Sequence, residues 1–441
     1  MMLRSSLRRF WWSWGMSNLP TRPDDWRSVE LSDCVDILDH LRVPVNEEQR
    51  NLFQGDTPYY GANGQQGTIK GWLFDEPLIL MAEDGGYFDD YENRPVAYKI
   101  SGRAWVNNHA HVLRPKDGYD FNYIFYALEH KNVLPFIKGG TRAKLNQKEL
   151  REVVIYVPQH KNVQEKISQI LLSVDDSLKA TQKLIHKYQQ IKYSLMHDLF
   201  TRGVTGDGKL RPPREQAPEL YKETPIGWIP KEWDVRSLAQ LSDITSGVTL
   251  SSKVTSGQDI AIPYLRVANV QDGYLDLADV KKIKVNRITF EKLKLKQGDV
   301  LMNEGGDFDK LGRGTVWQGE IANCIHQNHV FRVRVNSSQL EPFYLAYWSQ
   351  SEFGKKYFVL SSKQSTNLAS INSTQLKAFP IGLPGFDEQK RIVVRINAIN
   401  EKIKMLSDEG KKLTSRKFGL MQDLLTGKVQ VKVDQQETEH V

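Results

Sequence analysis

Two cysteines in 441 residues, Cys34 and Cys324, stand in different halves of the chain with no Cys-x-x-Cys or histidine-rich spacing beside either. That scarcity excludes a disulfide scaffold and a zinc ribbon and suits a reducing, cytoplasmic setting. No apolar run approaches the roughly 20 residues that span a bilayer, so no membrane partner is expected. The amino end sets Arg4, Arg8 and Arg9 ahead of Phe10-Trp11-Trp12. It has the charged start of a signal peptide without the apolar stretch or the small-residue cleavage site. Met16 is the more natural start, and residues 1–15 are expected to be dispensable. Charge of one sign is also lacking: 60 Lys and Arg face 53 Asp and Glu, for a net +7. This is a mild lean toward polyanions, short of a histone-like excess.

Catalytic equipment is equally thin. Gly203-Val-Thr-Gly-Asp-Gly208-Lys209 imitates a phosphate-cradling loop, but Leu210 replaces the hydroxyl residue that holds magnesium, and the stretch follows a helix rather than a strand. Glycines that stop a helix explain it. No Asn/Asp-Pro-Pro-Tyr/Phe string, the usual signature of base-amino methyltransferases, occurs. Asp117, Glu129 and Lys131 loosely imitate a nuclease set but are expected to be surface charges. Glu83, Asp84 and Asp89, with Glu304, Asp307 and Asp309 in the other half, are expected to organise turns or accept from a cytosine amino group. His109 and His111 alternate along a strand with no third ligand in view, so no metal is expected. The chain reads as non-catalytic.

What is present is repetition. The stretch Met196-His-Asp-Leu199-Phe-Thr201 returns as Met421-Gln-Asp-Leu424-Leu-Thr426, a shift of 225 residues (421 − 196). Apolar side chains recur at steps of four and three in both copies: Ile167, Leu171, Val174, Leu178, Ile185, Leu195 and Leu199, then Ile392, Ile396, Ile399, Ile403, Leu406, Leu413, Leu420 and Leu424. That is a heptad seam. Neither copy contains proline, and each is long enough for a rod of roughly 50 Å at 1.5 Å per residue. A rod with one apolar stripe wants a partner, and its twin is the nearest. Lys192 and Lys417 share one seam position, either snorkelling to water or tuning register.

Each rod follows a segment of short strand-like runs and turns. Residues 1–25 read as a leader, 26–158 as a first α+β recognition domain and 159–202 as the first long helix. Residues 203–232, with five prolines, are expected to be an irregular linker. A second domain over 233–384, the second long helix over 385–427 and a polar tail over 428–441 complete the chain. The domains echo each other: Trp26 with Leu31-Ser-Asp33 is answered by Trp233 with Leu241-Ser-Asp243, His111-Val112 by His329-Val330, and Leu145-Asn146 by Ile371-Asn372. An internal duplication is the economical reading. At matching places lie loops fit to read nucleic acid. The first domain offers Tyr59, Tyr60, Asn63, Gln65 and Gln66 in a glycine-rich loop, then Arg142, Lys144 and Asn146. The second offers Tyr264, Arg266 and Asn269, then Lys363, Gln364, Ser365 and Asn367. Amides pair bidentately with adenine edges, and basic groups meet phosphates.

These residues resemble the specificity subunits of type I restriction-modification systems. The resemblance rests on Pro58-Tyr-Tyr-Gly-Ala-Asn-Gly64, Thr224-Pro-Ile-Gly-Trp-Ile-Pro-Lys-Glu-Trp233, Ile262-Pro-Tyr-Leu-Arg-Val-Ala-Asn269 and Asp387-Glu-Gln-Lys-Arg391, which opens a helix ending Met421-Gln-Asp-Leu-Leu-Thr-Gly427. It covers nearly the whole chain after residue 25. The first helix departs from it in one respect, opening Asn162-Val-Gln-Glu-Lys166 where the family more often has a Glu-Gln pair. The resemblance implies two pseudo-twofold-related target-recognition domains separated by an antiparallel coiled coil, each reading one half of a split site on double-stranded DNA. It implies no cofactor of the chain's own. Two methyltransferase subunits would supply S-adenosylmethionine chemistry, and restriction-motor subunits would bring ATP and magnesium. The unlike loops predict an asymmetric site. The alternatives are the recognition subunit of a system with a fused methyltransferase-nuclease, an enzyme acting alone, and a purely structural adaptor.

Overall fold

A computed structural model of the chain describes residues 23–137, 143–249, 259–306, 311–364 and 369–433. Two compact units divide these residues. One holds 23–182 with 408–433, the other 183–407, so each contains one α+β domain and part of each long helix.

In the first unit the strand Leu78–Ala82 is apolar throughout and buried at all five residues. A strand covered on both faces reads as a continuous apolar run rather than an alternation. It lies antiparallel between Ala110–Pro115 and Ala97–Ile100, with Val35–Ile37 beyond the former. A second sheet orders Gly64–Ile69, Thr57–Gly61, Arg103–Val106 and Phe74–Asp75. It contains a parallel pair, with Tyr59 opposite Trp105 and Tyr60 opposite Val106. The helix Phe121–Glu129 is capped by Asp120, whose carboxylate accepts from Tyr123 N at 2.8 Å and satisfies an amide the helix itself leaves free.

The second unit repeats this plan. Val330–Val335 and Gly314–Val316 flank Val300–Asn303, with Ser242–Ser246 outside. Ile260–Leu265 pairs antiparallel with Lys281–Val285 and parallel with Ile325–His326. The repetition extends to single backbone hydrogen bonds. Leu31 N donates to Val153 O and Leu238 N to Phe379 O, both at 2.8 Å; Glu83 N donates to His109 O at 2.9 Å and Glu304 N to His329 O at 3.0 Å. Leu145 N reaches Glu83 O and Ile371 N reaches Glu304 O, again both at 2.8 Å. These bonds correct two correspondences. Leu238, not Leu241, answers Leu31, and His109, not His111, is the counterpart of His329. Short identical strings slide the alignment, whereas strand register holds it.

The long helices run Lys161–Arg202 and Phe386–Leu424. Ile167, Leu171, Val174, Leu199, Ile392, Ile396 and Leu424 are buried, and Leu178, Ile185, Leu195, Ile399, Ile403, Leu406, Leu413 and Leu420 are half-buried. In the first unit Ile167 and Leu171 share one buried cluster with Met421 and Leu424. In the second, Met196 and Leu199 share one with Ile392 and Ile396. Within each unit, therefore, the start of one long helix lies with the end of the other. Burying each such side chain stabilises by about 1.5–3 kcal/mol, and an aspartate at Leu171 or Ile396 would reverse that sign.

Two expectations need correcting. Residues 203–232 are not irregular throughout: Tyr221–Thr224 and Gly227–Pro230 form an antiparallel hairpin. Its prolines are tolerated because both strands lie at an edge of a two-stranded sheet. The same segment is also pinned, since buried Arg211 lies 2.5 Å from Glu388 Oε1, which in turn accepts from Val204 N at 2.7 Å. Glu129 is not a surface charge: its side chain is 13% exposed and pairs with Lys417. Of the two roles left open for Lys417, its burial does not fit snorkelling.

Candidate nucleic-acid interface

The glycine-rich stretch of the first domain is not a flexible loop but a hairpin, Thr57–Gly61 against Gly64–Ile69, with a bulge between Tyr59 and Tyr60. Gly64 at φ +116° and Gly67 at φ +150° adopt backbone that a Cβ disfavours, which is why glycine recurs there. Strand alternation then sorts the candidates. Tyr59 turns inward, 2% exposed, and its hydroxyl donates to Val45 O at 2.8 Å. Tyr60 is half-buried beside Tyr98. Asn63, Gln65 and Gln66 stay exposed. Asn63 donates to Gly85 O at 2.9 Å and Gln65 to Gly67 O at 3.1 Å.

Beside the hairpin opens a cleft of about 540 Å³ lined by Gln49, Arg50, Gln66, Asn107, Asn108 and His109, among others. Arg50 stacks over the Tyr59 ring at 4.6 Å and donates to Gln66 O at 3.3 Å. Asn107 donates to Gln66 Oε1 at 3.2 Å. A groove carrying amides, a guanidinium and an imidazole can meet both base edges and phosphates. Of the cleft's lining, the sequence singled out Tyr59 and Gln66 as readers and passed over Arg50 and Asn107. Arg50, on the helix Glu47–Leu52, and Asn107 lie 16 and 41 residues from Gln66, and only the fold brings them together.

Two residues on from His109 of the cleft, His111 belongs to a buried charge network. His111 Nδ1 is 2.6 Å from Asp39 Oδ2 and its Nε2 is 2.7 Å from Leu145 O. Leu145 O can only accept, so Nε2 carries a hydrogen, while Nδ1 is engaged by the Asp39 carboxyl. Burial alone would raise the Asp39 carboxyl, but the hydrogen bond and charge of His111 hold it below the usual range. Arg42 Nη1 lies 2.7 Å and Lys144 Nζ 3.0 Å from the Glu83 carboxylate. Asp39, Glu83 and His111 thus bring ligand atoms within 4.8 Å of one another, a cluster that strand spacing alone does not reveal. The chemistry is nevertheless that of an ion-pair network: Arg42 and Lys144 pair with the carboxylates, and both imidazole nitrogens are already engaged by groups of the chain. Lys144 and Glu83 therefore serve the frame as well as the surface. Asn146 is half-buried at the start of helix Gln147–Arg151.

In the second unit the candidates are more internal. Tyr264 is 4% exposed, and Asn269, at 3%, accepts from Arg266 N at 2.9 Å and donates to Asp276 O at 2.8 Å. Its amide shapes the backbone and is not free to read a base. Arg266 pairs with Asp279 at 3.0 Å. Exposed instead are Lys281, Lys282 and Lys284, on the strand that pairs with Tyr264's own. Sequence reading passed over this strand, although its clustered lysines were a signal. Lys363 is exposed, and Gln364 belongs to the strand Lys363–Gln364. Arg142, Ser365 and Asn367 lie outside the described residues, as do Asp307, Asp309 and residues 1–22. Glu304 accepts from His329 at 2.6 Å and holds a turn.

The family model for the type I restriction modification DNA specificity domain matches residues 23–192 and 230–415, once over each half of the duplication. The chain belongs to that family. Among curated relatives of this specificity family, the type I restriction enzyme MjaVIII specificity subunit of Methanocaldococcus jannaschii is 25% identical over 93% of this chain and 94% of its own. The putative MjaX specificity subunit of the same organism is 28% identical, but the match spans 47% of this chain and about half, 49%, of that protein. Among solved structures, the S subunit of the type I restriction-modification system from M. genitalium superposes with a TM-score of 0.55 at 14% identity, covering 93% of this chain and 98% of that one. That likeness concerns the fold. Among the described residues, no helix of this family member is long and apolar enough to cross a membrane.

Proposed function

We propose that the chain is the DNA-reading subunit of a type I restriction-modification complex, each α+β domain recognising one half of an asymmetric, bipartite site. The two long helices pair antiparallel as a coiled coil that sets the spacing between half-sites and docks two methyltransferase subunits. Those subunits supply S-adenosylmethionine chemistry, and restriction-motor subunits bring ATP and magnesium. The observation that carries this reading is one frame of backbone bonds, built twice, that presents unlike polar surfaces: amides and Arg50 around the cleft in one unit, a lysine-bearing strand in the other. A duplicated frame can meet the same phosphate geometry twice while different side chains read different bases. In the first domain the readers are Gln65, Gln66 and Asn63, with Arg50 and Lys144 on phosphates. In the second, Arg266 and Lys363 act with the lysine strand.

Methylome sequencing of cells with and without the gene tests this. Loss of modified adenines from one split, non-palindromic motif is the expected outcome. A palindromic motif would refute the asymmetry, and methylation or cleavage by the purified chain alone would refute the division of labour.

A further inference from the structure

The two lysines that share a seam position, Lys192 and Lys417, have opposite surroundings. Lys417 Nζ lies 2.8 Å from Glu129 Oε2 and 2.8 Å from Asp175 Oδ1. Tyr126 completes the site, its hydroxyl donating to Asp175 Oδ2 at 2.7 Å. The duplicated frame shows what stands at the same places around Lys192. Helix Phe121–Glu129 corresponds to Pro342–Gln350, because the caps Asp120 and Glu341 accept from Tyr123 N and Tyr344 N alike. Glu129 is therefore answered by Gln350, and Asp175, by the 225-residue shift of the long helices, by Asn400. Both carboxylates have become amides, and both amides are engaged elsewhere. Gln350 donates to Gly314 O at 3.2 Å and Asn400 to Tyr347 OH at 3.0 Å.

Among the described residues, Lys192 is left with no hydrogen-bond or ion-pair partner. It lines a cavity of about 180 Å³ with Tyr193, His197, Asp272 and Lys355. Glu352, at the same cavity, is already held by Tyr193 OH at 2.7 Å and His197 at 3.3 Å. Burial pushes the Lys192 ammonium below its ordinary pKa, with Asp272 opposing and Lys355 reinforcing the shift. An unpaired, partly desolvated ammonium costs free energy that an incoming anion recovers.

We propose that this cavity takes the carboxylate of an aspartate or glutamate side chain of a docked methyltransferase subunit, which does for Lys192 what Glu129 and Asp175 do for Lys417. The inference rests on the assembly described above. Three observations favour a protein carboxylate over a DNA phosphate. The cavity is smaller than the roughly 300–1,000 Å³ of small-molecule sites. Asp272 and Glu352 on its wall disfavour a more highly charged group. Tyr193, 59% exposed on the cavity wall, and Leu184 and Ile191, 43% and 40% exposed on the same long helix, add apolar surface of the kind a protein contact covers.

The test measures binding of the chain to the methyltransferase subunit encoded beside it, together with thermal stability. Lys192→Glu and the neutral Lys192→Gln are compared with the double variant Gln350→Glu, Asn400→Asp, which gives Lys192 carboxylates of its own. Expected are affinities lowered about 10- to 100-fold by Lys192→Glu and about 10-fold by the other two. The melting temperature of the free chain should rise for Lys192→Gln, which removes the unpaired charge, and for the double variant, which pairs it. Affinities within twofold of wild type in all three overturn the inference and leave the assembly reading intact. Intact assembly with weakened DNA binding reassigns the cavity to phosphate and equally overturns it. A wild-type chain that binds no such subunit overturns the assembly reading itself.

Discussion

On strand Ala110–Pro115 of the first unit His111 stands opposite Met81, and on Val330–Val335 of the second Phe331 stands opposite Met302. On the parallel pair the exchange runs the other way: Val106 lies opposite Tyr60 in the first unit, His326 opposite Leu265 in the second. All four of these side chains, His111, Phe331, Val106 and His326, are buried. The frame fixes where each side chain points, and its chemistry is then free to change, provided a buried polar group brings its partners with it. His111 has the Asp39 carboxyl on one ring nitrogen and Leu145 O on the other. His326 has Val330 O at 2.7 Å and nothing on Nε2 among the described residues. Its pKa is accordingly pushed down by burial to about 4.

The largest effect that tests this contrast is His111→Phe, which gives the first unit the residue the second unit carries. Asp39 would stay buried without its principal partner, at a cost of about 3 kcal/mol, the low end for a broken buried pair because Arg42 and Val112 N remain. Hydrogen exchange of strand Ala110–Pro115 under native conditions measures it, and a loss below about 1 kcal/mol would show that the network stabilises little. The second effect is pH dependence confined to the other unit. His326 binds a proton more readily unfolded, near pH 6.5, than folded, near 4. Its contribution is full above pH 6.5 and declines as pH falls toward 4, amounting to about 2 kcal/mol lost at pH 5. Asp39 is depressed from a lower starting value, 3.8, so what it contributes is lost only in stronger acid. The second unit should therefore open first on mild acidification, and His326→Val, the counterpart residue, should flatten its profile between pH 7 and 5.

At the surface the contrast is between reading and holding. Gln65→Ala should cost about 1–3 kcal/mol of discrimination at one base of one half-site. Removing Lys281, Lys282 or Lys284 should weaken all DNA alike and lower the salt slope by about 1 for each phosphate no longer neutralised. Competition binding at several salt concentrations separates the two. A sequence-selective loss from the lysine strand would reverse the assignment.

The long helices themselves were legible, since a recurring apolar stripe writes itself directly into side-chain type, and none of its named residues is fully exposed. Strands such as Leu78–Ala82 were legible for the same reason. The polar surface was not. Tyr59, Tyr264 and Asn269 have the residue types of base readers, yet aromatic and amide groups also fill cores and brace turns, and only a strand partner distant in sequence decides between the two. Tyr59 lies on a strand that pairs with that of Trp105, a residue that nothing near position 59 announces. The Asp39–His111 pair spans 72 residues and is equally invisible in spacing. The amide substitutions at Gln350 and Asn400 acquire meaning only once the two units have been aligned through their backbone bonds.

The smallest effect concerns the one seam position where the helices differ most in size, Ile185 in the first and Gly410 in the second. Glycine inside a helix costs about 0.8–1.0 kcal/mol relative to alanine, because its unfolded backbone has more freedom to lose. A methyl group at Gly410 would have Thr181 Cγ2 at 3.8 Å as its nearest neighbour, an ordinary contact that displaces nothing. Gly419, nine residues further on, has no atom within 4 Å of such a methyl and serves as the control for propensity alone. Gly410→Ala and Gly419→Ala should therefore each stabilise by about 0.5–1 kcal/mol, measured by denaturant unfolding, with Gly410→Ala ahead by whatever packing against Thr181 adds. A destabilising Gly410→Ala beside a stabilising Gly419→Ala would mean that the helices approach more closely at Thr181 than this spacing allows, with the glycine kept to permit that approach.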